Sequence, residues 1–150
     1  MNKKVFLITV LLAGLLLSAC ATTTAEPAAE EAVVAAEPVL TLSGSAEAAW
    51  TADELNAMTQ TDADYTDKEG NTTTYTGVLV SDLLVAAGVA DYTKLTLIAS
   101  DEYSAEVTAD ELASCAACIV AFDEDGTLRS VMPDLSGKQN VKDLVEITVE

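Results

Sequence analysis

Residues 75–88 read Tyr75-Thr76-Gly77-Val78-Leu79-Val80-Ser81-Asp82-Leu83-Leu84-Val85-Ala86-Ala87-Gly88. A β-favouring, Thr-rich run precedes them, and an apolar run with small residues closes them. The pattern predicts a strand over Thr72 to Tyr75, then an apolar helix over Val78 to Ala87. Gly88 stands just past that helix, where a glycine can take the left-handed conformation that ends a helix.

Working outward, Lys68-Glu69-Gly70-Asn71 is a turn before the Thr-rich strand. Upstream, Val39 to Ser43 alternates apolar and polar as a strand does, and Asp53 to Thr59 is a short helix. Downstream, Lys94 to Ser100 is a strand with Leu95, Leu97 and Ala99 on one face, paired with Ser104 to Val107. Ala109 to Ser114 is another short helix, Ile119 to Phe122 a buried strand, and Asp123-Glu124-Asp125-Gly126 a turn into Thr127 to Arg129. Val141 to Val149 closes the chain as a strand, with a bend at Leu144. One string recurs, Thr-Ala-Asp-Glu-Leu at 51–55 and 108–112. Each copy fits a capping box, with threonine at the N-cap and glutamate three residues on. Strands outnumber helices, and no helix follows each strand, so the reading is an α+β domain with a mixed or antiparallel sheet.

The chain has 150 residues, 25 acidic and 7 basic, with a net charge of −18 and no histidine. Phosphates would be repelled, so no nucleic-acid partner is expected. Without histidine there is no Ser-His-Asp triad and no histidine metal site.

The first residues form their own unit. Asn2-Lys3-Lys4 is a positive start, Val5 to Leu17 is apolar, and Leu17-Ser18-Ala19-Cys20 follows. A charged start, a short apolar run and small residues at the cut describe an export signal. The apolar run is short for a membrane-spanning helix. The Leu-Ser-Ala-Cys ending resembles the lipobox of bacterial lipoproteins, which implies cleavage before Cys20 and lipid attachment there. An ordinary export signal with a chance cysteine is the competing reading. Residues 1–19 are then the signal, 20–38 an Ala/Glu/Pro tether without aromatic or large aliphatic residues, and 39–150 the domain. Removing Lys3 and Lys4 leaves 5 basic and 25 acidic residues, a net of −20. The expected location is extracytoplasmic, at the cell surface or in the periplasm, with the membrane as partner through Cys20.

The segment Tyr75 to Gly88 resembles the corresponding stretch of the sulfite-oxidase-like molybdopterin-binding domain. Several shorter pieces resemble that family in the same order. They are Trp50 to Leu55, Leu95 to Ser104, Thr108 to Leu112, Ile119 to Leu128, Val131-Met132-Pro133, and Val141 to Val149. Together they cover about 100 residues. The resemblance implies an α+β fold with a mixed sheet and an oxidoreductase that binds molybdopterin. In such enzymes a cysteine between the first helix and the Gly-Val helix ligates molybdenum, while arginine and histidine meet the pterin phosphate and substrate. Met58 to Tyr75 holds no cysteine here, and Arg129 is the one arginine. The expectation is a domain without cofactor or catalysis that binds a small ligand or an extracytoplasmic protein. The alternatives are a pterin- or haem-binding electron-transfer accessory and a dithiol redox protein.

Cys115-Ala116-Ala117-Cys118 supports that last alternative. Export favours a structural disulfide. Buried free thiols and a redox or metal pair are the other readings. Asp62, Asp64, Asp67 and Glu69 form an oxygen-rich stretch of the kind calcium uses, at a spacing unlike an EF-hand. A solvated surface loop is the preferred reading of them, since charge-rich loops are usually surface features. Among Trp50, Tyr65, Tyr75, Tyr92 and Tyr103, most are expected to supply bulk to an alanine-rich core. In the resembled family, the loops after the Gly-Val helix and beside the Asp-Gly-Tyr step border the pterin cleft. Tyr75, Asp101 and Tyr103 are therefore the candidate ligand residues.

Overall fold

A computed structural model describes residues 36–150. The export signal, the lipobox with Cys20 and most of the tether lie outside the described residues.

Among the described residues, nine strands and three short α-helices follow one another. They are β1 Leu40–Gly44, β2 Ala48–Trp50, α1 Ala52–Ala57, β3 Gln60–Thr66, β4 Thr72–Leu79, α2 Val80–Ala86, β5 Lys94–Ala99, β6 Ser104–Thr108, α3 Ala109–Ser114, β7 Ile119–Phe122, β8 Leu128–Val131 and β9 Leu144–Val149. They build two sheets. The first runs β2-β1-β9-β5-β6, and β1 and β9 are its one parallel pair. The second runs β3-β4-β7-β8 and is wholly antiparallel. The α+β class expected from the sequence is what the chain adopts.

Both capping boxes form. Thr51 and Thr108 each accept the N–H of the glutamate three residues on, and each glutamate accepts the threonine N–H at 2.8 Å. Gly88 ends α2 at φ +76°. That backbone conformation is cheap only for glycine. The first sheet turns Leu40, Leu42, Leu95, Leu97, Ile147 and Val149 inward. They meet Val80, Leu83 and Leu84 of α2 and Val78, Val120 and Leu128 of the second sheet in the main core. Each fully buried leucine there contributes about 2 kcal/mol.

Four elements depart from the sequence reading. The helix expected from Val78 begins at Val80, because Val78 pairs with Gln60 and Val120 while Leu79 pairs with Ile119. Pairing on both sides at Val78, and with β7 at Leu79, holds those residues in β4 despite their place in an apolar run. The first half of the acidic stretch read as a loop, Asp62 to Thr66, lies in β3, while Asp67 and Glu69 stand in the turn after it. The strand's alternation is Asp62, Asp64 and Thr66 outward against Ala63 and Tyr65 inward, and alanine is too small to register as an apolar signal. Ala48–Trp50 is a short strand that its alanines conceal. The closing strand is also shorter than expected. It starts at Leu144, where the register against β5 shifts and Asp143 takes φ +51°, so the bend falls at the expected place.

The second sheet curls. Its edge strands β3 and β8 are not hydrogen-bonded neighbours, yet they approach with Cα atoms within 8 Å. The face turned away from the main core therefore lines a small interior of its own. Ala63, Ile119, Ala121 and Val131 are buried there, with Tyr65, Tyr75, Leu79 and Ala117 packed against them.

Candidate functional site

That second interior contains a charge. Arg129 stands on β8 directly opposite Ala121, and Ala121 stands opposite Gly77 on β4. The row beside the arginine is thus floored by residues with little or no side chain. Gly77 is required by the closeness of the strands. A Cβ there would lie 2.2 Å from the carbonyl oxygen of Val120 and 2.7 Å from Cα of Ala121.

Arg129 is 3% exposed. Its Nη1 donates to the hydroxyl of Tyr75 at 2.6 Å and to Oδ2 of Asp123 at 3.2 Å. Its guanidinium carbon lies 4.5 Å from the ring centre of Tyr75 and 4.7 Å from that of Tyr65. Each such cation–π contact is worth roughly 1 kcal/mol or more once desolvated. Nε and Nη2 are buried and, among the described residues, have no hydrogen-bond partner. Native interiors rarely leave such donors unpaired. A buried charge is tolerated only when it is well satisfied.

Tyr65 also walls a groove of about 390 Å³ between the β3–β4 hairpin and the segment after β8. Met132, Pro133 and Leu135 give this groove an apolar side, and Lys68 lies at it too. Among the described residues the Tyr65 hydroxyl makes no hydrogen bond, whereas that of Tyr75 is held by Arg129.

The structure distributes the candidate residues over two sheets. Tyr75 is in the second. Asp101 and Tyr103 lie at the β5–β6 turn of the first, where Asp101 accepts the N–H of Tyr103 and the Tyr103 hydroxyl donates to the Lys138 carbonyl at 3.0 Å. Tyr103 borders a separate recess with Ser136, Lys138 and Gln139. The tyrosine that does join Tyr75 is Tyr65, through Arg129. The lone arginine of an acidic domain was the signal in the sequence that marked this cluster.

The acidic stretch is engaged in hydrogen bonding. Asp62 and Asp64 each accept a threonine hydroxyl at 2.6 Å, from Thr76 and Thr74. Asp67 accepts the side-chain and backbone N–H groups of Asn71, with Glu69 N–H adding to them. These bonds hold its carboxyl below the usual range. Among the described residues no three His, Cys, Asp or Glu side chains converge as a metal site.

Cys115 and Cys118 are joined in a disulfide, 8% and 2% exposed. Cys115 is the C-cap of α3, and the Cys118 carbonyl accepts the first N–H of α2, from Val80, at 2.9 Å. Leu79, the N-cap of α2, offers no side-chain cap, so the disulfide loop supplies that acceptor.

The molybdenum centre that the sequence resemblance implies needs a cysteine thiolate from the segment between α1 and α2. That segment is the β3–β4 hairpin, and it carries none. The domain's two cysteines lie elsewhere and are bonded to each other. The donor set does not fit thiolate ligation of molybdenum.

No model of a known protein family matches the chain. No curated protein matches it either. Among solved structures it is similar to the sulfane dehydrogenase SoxCD from Paracoccus pantotrophus, at a TM-score of 0.62 and 18% identity. The match covers 73% of this chain and 37% of that one. At that identity the likeness is one of fold. The α+β architecture expected from the sequence is the architecture found.

Proposed function

We propose that this chain is a lipid-anchored extracytoplasmic protein whose sulfite-oxidase-like domain binds a ligand or protein partner and performs no molybdenum chemistry. The reading is supported above all by the cysteines: both sulfurs of the domain are spent on one another, and none stands on the β3–β4 hairpin. The anchor rests on the Leu-Ser-Ala-Cys ending before residue 21. Two or more acyl chains on Cys20 would hold the protein stably at a membrane.

The test is native purification from membranes followed by metal analysis and intact mass spectrometry. The expected protein starts at Cys20, carries diacylglycerol and acyl mass there, and contains no stoichiometric molybdenum. Molybdenum or a pterin chromophore at one per chain would overturn the binding-only reading. An unmodified N-terminus would overturn the anchor.

A further inference from the structure

We infer that the unpartnered edge of Arg129 is a receptor for a small monocarboxylic acid with an apolar body, admitted past Tyr65 from the adjoining groove. This deepens the reading of the domain as a binding module and rests on it.

The edge defines the ligand's charged end. Nε and Nη2 of one guanidinium carry parallel N–H groups spaced to meet the two oxygens of a carboxylate. Both atoms are buried and unpartnered among the described residues, while Nη1 is occupied by Tyr75 and Asp123. The rings of Tyr65 and Tyr75 lie over the same guanidinium and favour a flat group beside it. A single negative charge suits the site. Asp123 already offsets part of the arginine, and a chain of net charge −18 repels a dianion more strongly than a monoanion.

The groove defines the rest. Tyr65 is common to the groove wall and to the arginine. It is the ring without a hydrogen bond to fix it, and admission takes a rotamer change of Tyr65 that opens the enclosed arginine edge to the groove. Beyond it, Met132, Pro133 and Leu135 provide apolar surface for a hydrocarbon body, and exposed Lys68 offsets part of the negative charge that Asp64 and Asp67 place at the same groove.

Benzoate and its neutral isostere benzamide are the probes, titrated into the full chain at constant ionic strength. The Arg129 Nε resonance is followed by nitrogen-15 NMR. Benzoate is expected to shift it saturably, and benzamide to bind at least about tenfold more weakly, because it cannot complete the charged fork. Lys68→Glu, at an exposed position, is expected to weaken benzoate severalfold with the fold intact. Arg129→Lys should abolish benzoate binding when it is read by titration calorimetry, which does not depend on the arginine signal. Should that variant not fold, the wild-type titration and Lys68→Glu still decide the matter. No benzoate shift up to the high millimolar range, or equal responses to both probes, would overturn the carboxylate receptor. Those results would leave the binding-module reading to stand or fall on the metal and mass analysis.

Discussion

Arg129 on β8 donates to the hydroxyl of Tyr75 on β4 at 2.6 Å, reaching across the intervening strand β7. This bond ties one edge of the second sheet to a strand two places away. It also places the domain's single arginine against the Gly77–Ala121 floor.

Tyr75→Phe should therefore destabilise the domain while keeping the ring. The buried Nη1 would retain only Asp123, at a cost of about 1–3 kcal/mol. A double-mutant cycle with Arg129→Met, read by urea unfolding, should show coupling of about 1 kcal/mol or more. Additive effects would mean that the bond contributes packing alone.

Gly77→Ala should be among the most damaging single substitutions. The new Cβ would meet the backbone of β7, which cannot yield as a flexible side chain would. A loss of about 3 kcal/mol or more is expected, visible as a collapse of the thermal transition or as insoluble protein. Near-normal melting would show that β4 and β7 can separate without cost.

Replacing both Cys115 and Cys118 by serine should cost about 2 kcal/mol on the chain-entropy account of a four-residue loop. Its local signature should be faster amide exchange at Val80, whose N–H bonds the Cys118 carbonyl. Unchanged exchange at Val80 would disconnect the disulfide from α2.

The capping boxes predict an acid-side loss of stability. In each, the threonine N–H and hydroxyl hold the glutamate, Glu54 or Glu111, below its ordinary value of 4.5. A carboxyl lowered on folding stabilises above its unfolded value, and that contribution disappears as pH falls through the lowered one. The melting temperature should thus fall on acidification below about pH 4.5. Thr51→Ala and Thr108→Ala should each lower the neutral-pH midpoint by about 4 °C and flatten the acid limb. Parallel pH profiles for wild type and variants would remove the caps from the account.

Much of the fold was legible because it is written in local chemistry. The Thr-x-x-Glu boxes, the glycine after α2 and the alternation of Leu95, Leu97 and Ala99 each act within a few residues, so their spacing reveals them. The strand β3 was hidden by composition. Its inward face is only Ala63 and Tyr65, and its outward aspartates resemble a solvated loop until Thr74 and Thr76 are placed opposite them. The boundary between β4 and α2 was hidden by pairing, since Val78 and Leu79 are apolar in either state and only their partners Val120 and Ile119 decide it.

The sequence by itself determined the α+β class, both capped helices, the acidic charge and the absence of a cysteine where a molybdenum ligand would stand. These depend on which residues are present and on short-range periodicity. Only the tertiary structure decided that Tyr65, Tyr75 and Arg129 form one cluster, while Asp101 and Tyr103 lie on the other sheet. The reason is that the arginine's surroundings come from the curl of the second sheet. That curl brings β3 towards β8 across more than sixty residues of chain, a distance over which no local pattern carries information.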